Sequence, residues 1–280
     1  MSSAPPCRLH VFLARTAPIG VVLRRGPSTW TRLSLWNTDT DVFEHGQWIR
    51  GRVFERRSDI SSDGALLIAF IRDTSARRRP HQRADTWIAI SRPPYFTALA
   101  LWWVGGTYCT GGFFPSTHSV WPAWGNDPDQ GQLPPWLTIA KTIAHVDRTN
   151  NWTDRTVYHN RRIRDGWQLV TEAPRERWQR QQPDGPLRLM LDEIGWNPRA
   201  FGGPHVVEYA LRLADERVEA LPDVTWADWD QRGRLVGAQY GRLLHWQVPG
   251  GPTVLADFNQ QEPETLPPPP WAQTWPPPPK

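Results

Sequence analysis

Short apolar runs alternate with turn residues along most of the chain, and this pattern is typical of β-strands. Residues 30–36 are the clearest case, because Trp, Arg, Ser and Trp share one face while Thr, Leu and Leu share the other. A half-buried strand requires this period of two residues. We predict further strands at residues 9–14, 20–24, 48–54, 65–71, 87–91, 97–104, 167–171, 206–217, 235–239 and 243–248.

Three segments between these runs are less regular. Residues 115–135 carry Pro, Gly, Asn and Asp in quick succession, which predicts a long Trp-rich loop. Residues 174–182 are polar and predict a short helix. Residues 137–145 fit either a strand or a short helix.

The chain changes character from residue 260 onward. Pro267–Pro270 and Pro276–Pro279 surround Trp271 and Trp275, and a segment of this composition does not join a sheet. We predict an extended polyproline-II tail over residues 260–280, following a single domain that covers residues 1–259.

The composition agrees with a folded protein that is rich in strands. The 280 residues include 18 Trp and 29 Pro. Proline is excluded from helix interiors and tryptophan is a strand and core residue, so the composition argues against a helical bundle. Apolar residues make up 39% and charged residues 21%, a balance that lets the chain bury a core.

The basic charge of the chain is dispersed. The formal net charge is +4 and the pI is near 9.4, yet Arg residues cluster only at Arg77–Arg79 and neighbouring Arg83. Proteins that bind nucleic acid usually concentrate such charge on one face. We therefore interpret the cluster as a solvated loop and do not favour a nucleic-acid partner.

Cysteine usage and hydropathy indicate the compartment. Cys7 and Cys109 are too far apart for a metal-site pattern. The first residues lack the charged and apolar regions of a secretory signal, and the longest apolar stretch, residues 95–104, is too short to span a bilayer. The sequence predicts a cytoplasmic protein without a membrane partner.

A turn motif that leads into an apolar strand occurs twice. The first copy covers residues 59–70, and residues 228–238 align with its first eleven positions without a gap. A weaker match to this motif surrounds Gly166. In such a turn an Asp bonds the backbone and a Gly takes a positive φ. The residues that we assign to this structural motif are Asp59, Asp63, Gly64, Asp228 and Gly233.

This motif resembles the repeat of WD40-like β-propellers, in which a Ser-Pro-Asp-Gly turn precedes an apolar strand. Ser62 stands where that repeat usually has Pro. The two copies begin 169 residues apart, about four repeats of roughly 40–45 residues. The resemblance implies an all-β, propeller-like domain of about five or six blades; a β-sandwich or barrel is the alternative. Residues 91–99 also resemble runs in bacterial proteins, which implies no function.

The sequence contains no catalytic constellation or metal-binding pattern that we recognise. It lacks a phosphate-binding loop, a His-Glu-x-x-His motif and a Gly-x-Ser-x-Gly elbow. Asn37, Asp39 and Asp41 imitate the start of a calcium loop, but Val42 replaces its Gly. Cys109 has no His partner that the sequence identifies. We assign no catalytic, cofactor or metal residues, and no small-molecule substrate is indicated.

The remaining features favour binding of a protein partner. Tryptophan is enriched in interface hot spots, and a Pro-rich tail is preformed for docking into an aromatic groove. We predict a non-enzymatic interaction module or scaffold. One alternative is a hydrolase with its site in the propeller channel; another binds carbohydrate or nucleic acid through exposed Trp and Arg. The candidate partner-binding residues are Trp121, Trp124, Trp136, Trp271 and Trp275.

Overall fold

The computed structural model of the chain is all-β, as the sequence predicts, with 50% of residues in strands and 7% in helices. It describes residues 6–26, 28–73, 84–123, 125–144, 155–172, 175–197, 205–248 and 250–279. Trp124 and the Arg77–Arg83 cluster lie outside these ranges. Among the described helices, none is long and apolar enough to cross a membrane.

In the part of the chain that the structure describes, twelve strands precede the helix α1. In chain order they are β1 (Arg8–Leu13), β2 (Ile19–Arg25), β3 (Trp30–Asn37), β4 (Val42–Val53), β5 (Asp59–Ile60), β6 (Leu67–Asp73), β7 (Thr86–Ser91), β8 (Ala98–Val104), β9 (Gly112–Ser116), β10 (Ser119–Pro122), β11 (Gln130–Gly131) and β12 (Thr138–Ile139). A nine-stranded sheet has the order β1-β2-β3-β4-β6-β7-β8-β11, with β5 beside β6. A three-stranded sheet has the order β12-β10-β9.

The helix α1 (Arg155–Arg164) and, within the described ranges, nine strands follow. These strands are β13 (Gln168–Thr171), β14 (Arg177–Gln181), β15 (Arg188–Trp196), β16 (His205–Arg212), β17 (Val218–Leu221), β18 (Val224–Trp229), β19 (Leu235–Gln239), β20 (Arg242–Trp246) and β21 (Pro252–Asp257). They form a five-stranded sheet, β13 to β17, and a four-stranded sheet, β18 to β21, each in chain order. Two 3-10 helices cover Glu55–Arg57 and Pro270–Gln273.

The chain divides into two compact units. The first unit comprises Met1–Val11, Arg24–Pro27 and Arg162–Gln261, and its core contains Trp178, Trp229 and Leu235. The second unit comprises Phe12–Leu23, Ser28–Arg161 and Glu262–Lys280. The predicted boundary between residues 259 and 260 stays a prediction.

Strand β6 shows how the period of two builds the second unit. Its side chains alternate between two cores: Ile68 and Phe70 belong to one cluster, whereas Leu67, Ala69 and Ile71 belong to the other. Because successive side chains of a strand point to opposite faces, a strand buried on both faces must be apolar at every position. The continuous apolar run therefore explains why β6 lies inside the sheet.

Two segments differ from their sequence predictions. Residues 177–181 form strand β14, not part of a short helix; Trp178 is fully buried and its polar neighbours pair with β13 and β15. The segment 115–135 is not one loop, because the antiparallel pair β9 and β10 occupies its start. In both cases pairing with neighbouring strands determines the conformation, and the local sequence pattern does not reveal those neighbours.

The turn motif occurs in the structure at both predicted places. The Gly64 N–H donates to the Ser61 carbonyl at 3.0 Å, and the Gly233 N–H donates to the Asp230 carbonyl at 2.9 Å. The φ angles of Gly64 and Gly233 are +73° and +70°. A side chain at either φ would be strained, so both copies depend on glycine.

The weaker match at Gly166 does not form the turn that the two motif copies share. Gly166 follows helix α1 with a φ of +89°, and its N–H donates to the Ile163 carbonyl at 3.1 Å. The Trp167 N–H donates to the Arg162 carbonyl at 2.9 Å. This pair of bonds is the Schellman ending of a helix. The Asp-Gly pair therefore ends a helix here and is not a third copy of the strand-forming turn.

Candidate functional site

From Glu262 onward, the Pro-rich tail belongs to the second unit, and its described residues form no strand. The 3-10 helix Pro270–Gln273 is its one regular element among residues 262–279. Pro269 has φ −68° and ψ 162°, close to polyproline-II geometry. The tail holds its position through contacts with four parts of the second unit.

The first contact is an ion pair. Arg32 on β3 has a side chain that is only 8% exposed, and its Nη2 lies 2.6 Å from Oε1 of Glu264. The Arg32 Nε donates to the Gly46 carbonyl, and the guanidinium lies 5.3 Å from the Trp48 ring centroid. These neighbours fix the guanidinium, so it presents a positive charge at one defined place on the surface.

The second contact is a hydrogen bond from Gln47 to the tail backbone. Gln47 accepts a hydrogen bond from the Phe96 N–H through Oε1 and donates from Nε2 to the Leu266 carbonyl, both at 2.8 Å. Because the Phe96 bond fixes the amide orientation, Gln47 can only donate toward the tail. Gly46 brings β4 close to this place: a Cβ there would lie 2.0 Å from the Pro94 carbonyl oxygen.

The third contact holds the 3-10 helix of the tail. Arg92 donates from Nη1 to the carbonyls of Trp271 and Thr274 at 2.7 and 3.2 Å. Its guanidinium lies 4.9 Å from the Trp271 ring centroid, and the Tyr95 ring meets that indole edge-to-face at 5.3 Å. Trp271 nevertheless stays 41% exposed.

The fourth contact fixes the end of the tail. The rings of Trp136 and Trp275 meet edge-to-face with centroids 6.4 Å apart, and both indoles pack on the core cluster that contains Ile68 and Phe70. Between the two tail indoles, Ala272 is completely buried. We name Arg32, Gln47, Arg92, Tyr95 and Trp136 the tail cradle.

The electrostatics beside the cradle depend on the ion pair. His45 lies next to it and shares a 2.9 Å hydrogen bond between Nδ1 and the Ser34 hydroxyl. Desolvation lowers the pKa of His45, Arg32 lowers it further, and Glu264 opposes both by raising it. The ring is therefore neutral at pH 7, and the positive charge of this region belongs to Arg32.

The structure brings together three of the five predicted binding residues. Trp136, Trp271 and Trp275 all take part in tail docking, two of them from the tail itself. Trp121 lies on β10, where its ring meets that of Phe113 at 5.8 Å. Trp124 lies outside the described residues.

The cradle residues Arg32, Gln47, Arg92 and Tyr95 were missed by sequence reasoning. Residues 91–99 contain Arg92 and Tyr95, but the sequence draws attention to this segment only through its resemblance to runs in bacterial proteins. An Arg next to Pro-Pro-Tyr is the one local signal that points to recognition of an aromatic segment.

The carboxylates of the turn motif form structural hydrogen bonds. Asp59 is 1% exposed and accepts from the Phe114 N–H at 2.9 Å. At the aligned position, Asp228 pairs with Arg180 and accepts from the Trp167 indole N–H at 3.3 Å. Asp230 accepts from the Arg232 and Arg234 N–H groups and therefore stabilises its turn. Asp228 and Asp230 thus bind different partners and do not converge as an acid–base pair.

One further cleft lies among the described residues. This cleft of about 270 Å³ borders Trp103, Asp127 and Asp129, and Asp129 there accepts from the Trp103 N–H at 2.9 Å. Among the residues that the structure describes, no group of three or more His, Cys, Asp and Glu is placed to hold a metal ion.

Both thiols are expected to resist modification in the folded protein. Burial raises the pKa values of Cys7 and Cys109 to about 11, and both residues are at most 2% exposed. The thiols are therefore protonated at pH 8, and the thiolate is the reactive form. A disulfide-exchange reagent at pH 8 should label neither cysteine before unfolding and both after denaturant is added. Rapid labelling of native Cys109 would contradict this picture.

In comparisons with known proteins, no family model matched this sequence, and no curated protein matched it.

Proposed function

We propose that the protein is a non-enzymatic interaction module, a β-propeller-like platform that binds an extended Pro-rich segment of a protein partner. The tail cradle is the observation that carries this proposal. It holds a Pro-rich segment through an ion pair, carbonyl-directed donors and aromatic contacts. These are the means by which protein modules recognise polyproline-II ligands.

The sheet pattern supports the propeller-like platform. If the nine-stranded sheet is divided at the pairing of β4 with β6, which spans only residues 51–53 and 71–73, the strands fall into five groups of three to five strands. Propeller blades are usually four-stranded antiparallel sheets. The group β18 to β21 has that form.

Contacts within the first unit also support this architecture. The Cys7 N–H donates to Oδ1 of Asn259 at 3.0 Å, across 252 positions of sequence. Arg24 donates from Nε to the Phe258 carbonyl at 3.2 Å. A propeller needs contacts of this kind, because its first strands must meet its last blade. An experimental density map with about five sheets around one axis would support the platform, and stacked sheets would refute it.

Recognition in trans is tested on the intact, folded chain. A specific protease site is inserted between Glu262 and Pro263, two exposed residues, and cleaved after folding. We expect the released tail to co-elute with the protein and to exchange with a labelled peptide of residues 260–280. An insertion without cleavage is the control for folding. Immediate loss of the fragment, with unchanged circular dichroism and no saturable peptide binding, would refute the proposal.

A further inference from the structure

We infer that the tail is a resident occupant of a recognition site, and that the site's partner is a protein segment with the same chemistry in the same order. That order is an acidic residue, a proline run and two tryptophans four positions apart. This inference rests on the proposed function and specifies the class of partner. The partner segment must displace the tail to bind.

The first reason is the match between donors and acceptors. A proline has no backbone N–H, so a proline run offers carbonyl acceptors and almost no donors. The cradle side chains that meet the tail backbone are donors: Gln47 binds one carbonyl, and Arg92 binds two. These three carbonyls belong to Leu266, Trp271 and Thr274, and none of the three bonds requires an N–H from the tail. A proline-rich backbone therefore satisfies the cradle, because all the donors come from the cradle side chains.

The second reason is the charge of Arg32. Its guanidinium is mostly buried and lies against an indole, so removing the carboxylate of Glu264 leaves the cation with less compensation in a partly desolvated place. A segment with an acidic residue at this position is favoured over a neutral one. The acidic residue lies two positions before the residue whose carbonyl Gln47 binds.

The third reason is the spacing of the aromatic contacts. Trp271 meets Tyr95 and Arg92, and Trp275 meets Trp136. Trp271 lies in the 3-10 helix Pro270–Gln273, and this helix with its C-cap residue Thr274 sets the separation of the two indoles. Aromatic pairs contribute beyond their buried area only in the correct geometry. A shift in the spacing of the two indoles would lose one of the two contacts.

The form of the attachment permits displacement. The described part of the tail forms no strand, so its release breaks no sheet ladder. The tail is linked to the chain by exposed Glu262 and Pro263. A tethered segment acts at a millimolar effective concentration; against a dissociation constant on the order of 10 μM, self-occupancy weakens binding of a free segment about 100-fold.

The inference is tested with full-length chains and a fluorescent peptide of residues 260–280, by anisotropy. One chain is unchanged; the other carries Trp271→Ala and Trp275→Ala, which weaken its own tail. We expect the second chain to bind the peptide at least about 10-fold more tightly, because its cradle is more often empty. A chain with the tail substitution Pro278→Ala is the matched control, since Pro278 is exposed; it should bind like the unchanged chain.

Peptide variants test the order of the features. With the Trp271→Ala, Trp275→Ala chain, the peptide changes Glu264→Gln, Trp271→Ala and Trp275→Ala should each weaken binding about 5-fold or more, and Pro278→Ala should not. A peptide of the same composition in scrambled order should not bind measurably. Binding of the scrambled peptide with equal affinity would overturn the predicted order.

The outcomes separate the inference from the proposed function. If both chains bind the peptide equally, the tail is not a competing occupant, and the inference fails while recognition of a Pro-rich segment stands. If neither chain, nor a chain whose tail has been cleaved and removed, binds any peptide, the proposed function itself fails. Tyr95→Ala, added to the Trp271→Ala, Trp275→Ala chain, should weaken peptide binding; unchanged binding would place the peptide outside the cradle and overturn the inference.

Discussion

Replacing Trp178 by alanine is expected to lower the free energy of unfolding of the first unit by about 3–5 kcal/mol, since that is the usual cost of truncating a buried Trp. The side chain is completely buried in the core of that unit. It also lies beneath the Arg162 guanidinium, 5.5 Å from the ring centroid. The alanine would therefore leave a cavity beside a buried cation in the core of the first unit.

Trp196 offers a matched control in the same sheet. It lies on β15, next to β14, and is 67% exposed, so Trp196→Ala should change the free energy of unfolding by less than about 0.5 kcal/mol. The free energy of unfolding of both variants is measured by urea unfolding, followed by circular dichroism. Hydrogen exchange of the amides in residues 177–196 measures the same change within the sheet. Equal effects of the two substitutions would show that Trp178 is not a core residue.

A third variant separates packing from hydrogen bonding. The Trp178 indole N–H donates to Glu176 Oε2 at 3.3 Å, and Glu176 is only 5% exposed. Trp178→Phe retains most of the apolar volume but removes the donor. We expect it to cost about 1–3 kcal/mol, because the buried Glu176 carboxylate loses one hydrogen-bond donor. A loss as large as that of the alanine variant would assign the whole effect to the hydrogen bond.

The sequence predicts a strand best where the hydrophobic pattern of that strand is clear without its neighbours. The alternation in residues 30–36 and the apolar run that contains β6 both correspond to strands. Strand β14 was predicted as helix, because Trp178 is its single buried position and the other residues are polar. No period of two can be recognised from one apolar side chain, and the pairing with β13 and β15 is a tertiary effect.

The candidate site could be predicted only in part, for a similar reason. Composition drew attention to Trp271 and Trp275, since a Pro/Trp-rich tail is conspicuous. Their partners are distant in the sequence: the contacts of Arg92 with the tail span 179 and 182 positions, and that of Arg32 spans 232. A local pattern cannot specify which residues meet across such distances, so only the fold identifies the cradle.

Many Arg side chains stack on aromatic rings, a role that their dispersal along the sequence does not reveal. Several guanidinium groups stack on aromatic rings: Arg56 lies 3.6 Å from the Tyr158 centroid, and Arg162 lies 4.6 Å from that of Trp167. A planar guanidinium can stack and donate hydrogen bonds at once, which an ammonium cannot. The abundance of both Arg and Trp is therefore partly a packing solution, and net charge alone says little about partners.

Arg24→Met is expected to lower the free energy of unfolding of the first unit by about 1.5–3 kcal/mol, the range for a hydrogen bond that involves a charged group. Arg24 is 3% exposed and donates to the carbonyls of Phe258 and Asn259 at 3.2 and 3.4 Å. Methionine retains much of the apolar contact but has no donor. The Phe258 carbonyl, in a residue with no exposed surface, would lose a charged donor.

The position of these bonds also makes them a test of the architecture of the first unit. Arg24 joins residues 234 positions apart in sequence, so its loss removes a contact that brings distant segments of the first unit together. Asn259→Ala should act in the same direction, because the Cys7 N–H would lose its acceptor. Arg50→Met, at an exposed position of β4, is the control and should change little. If Arg24→Met and Asn259→Ala leave urea unfolding and protease resistance as unchanged as the control does, these contacts do not close the unit, and the propeller-like platform loses one of its two supports.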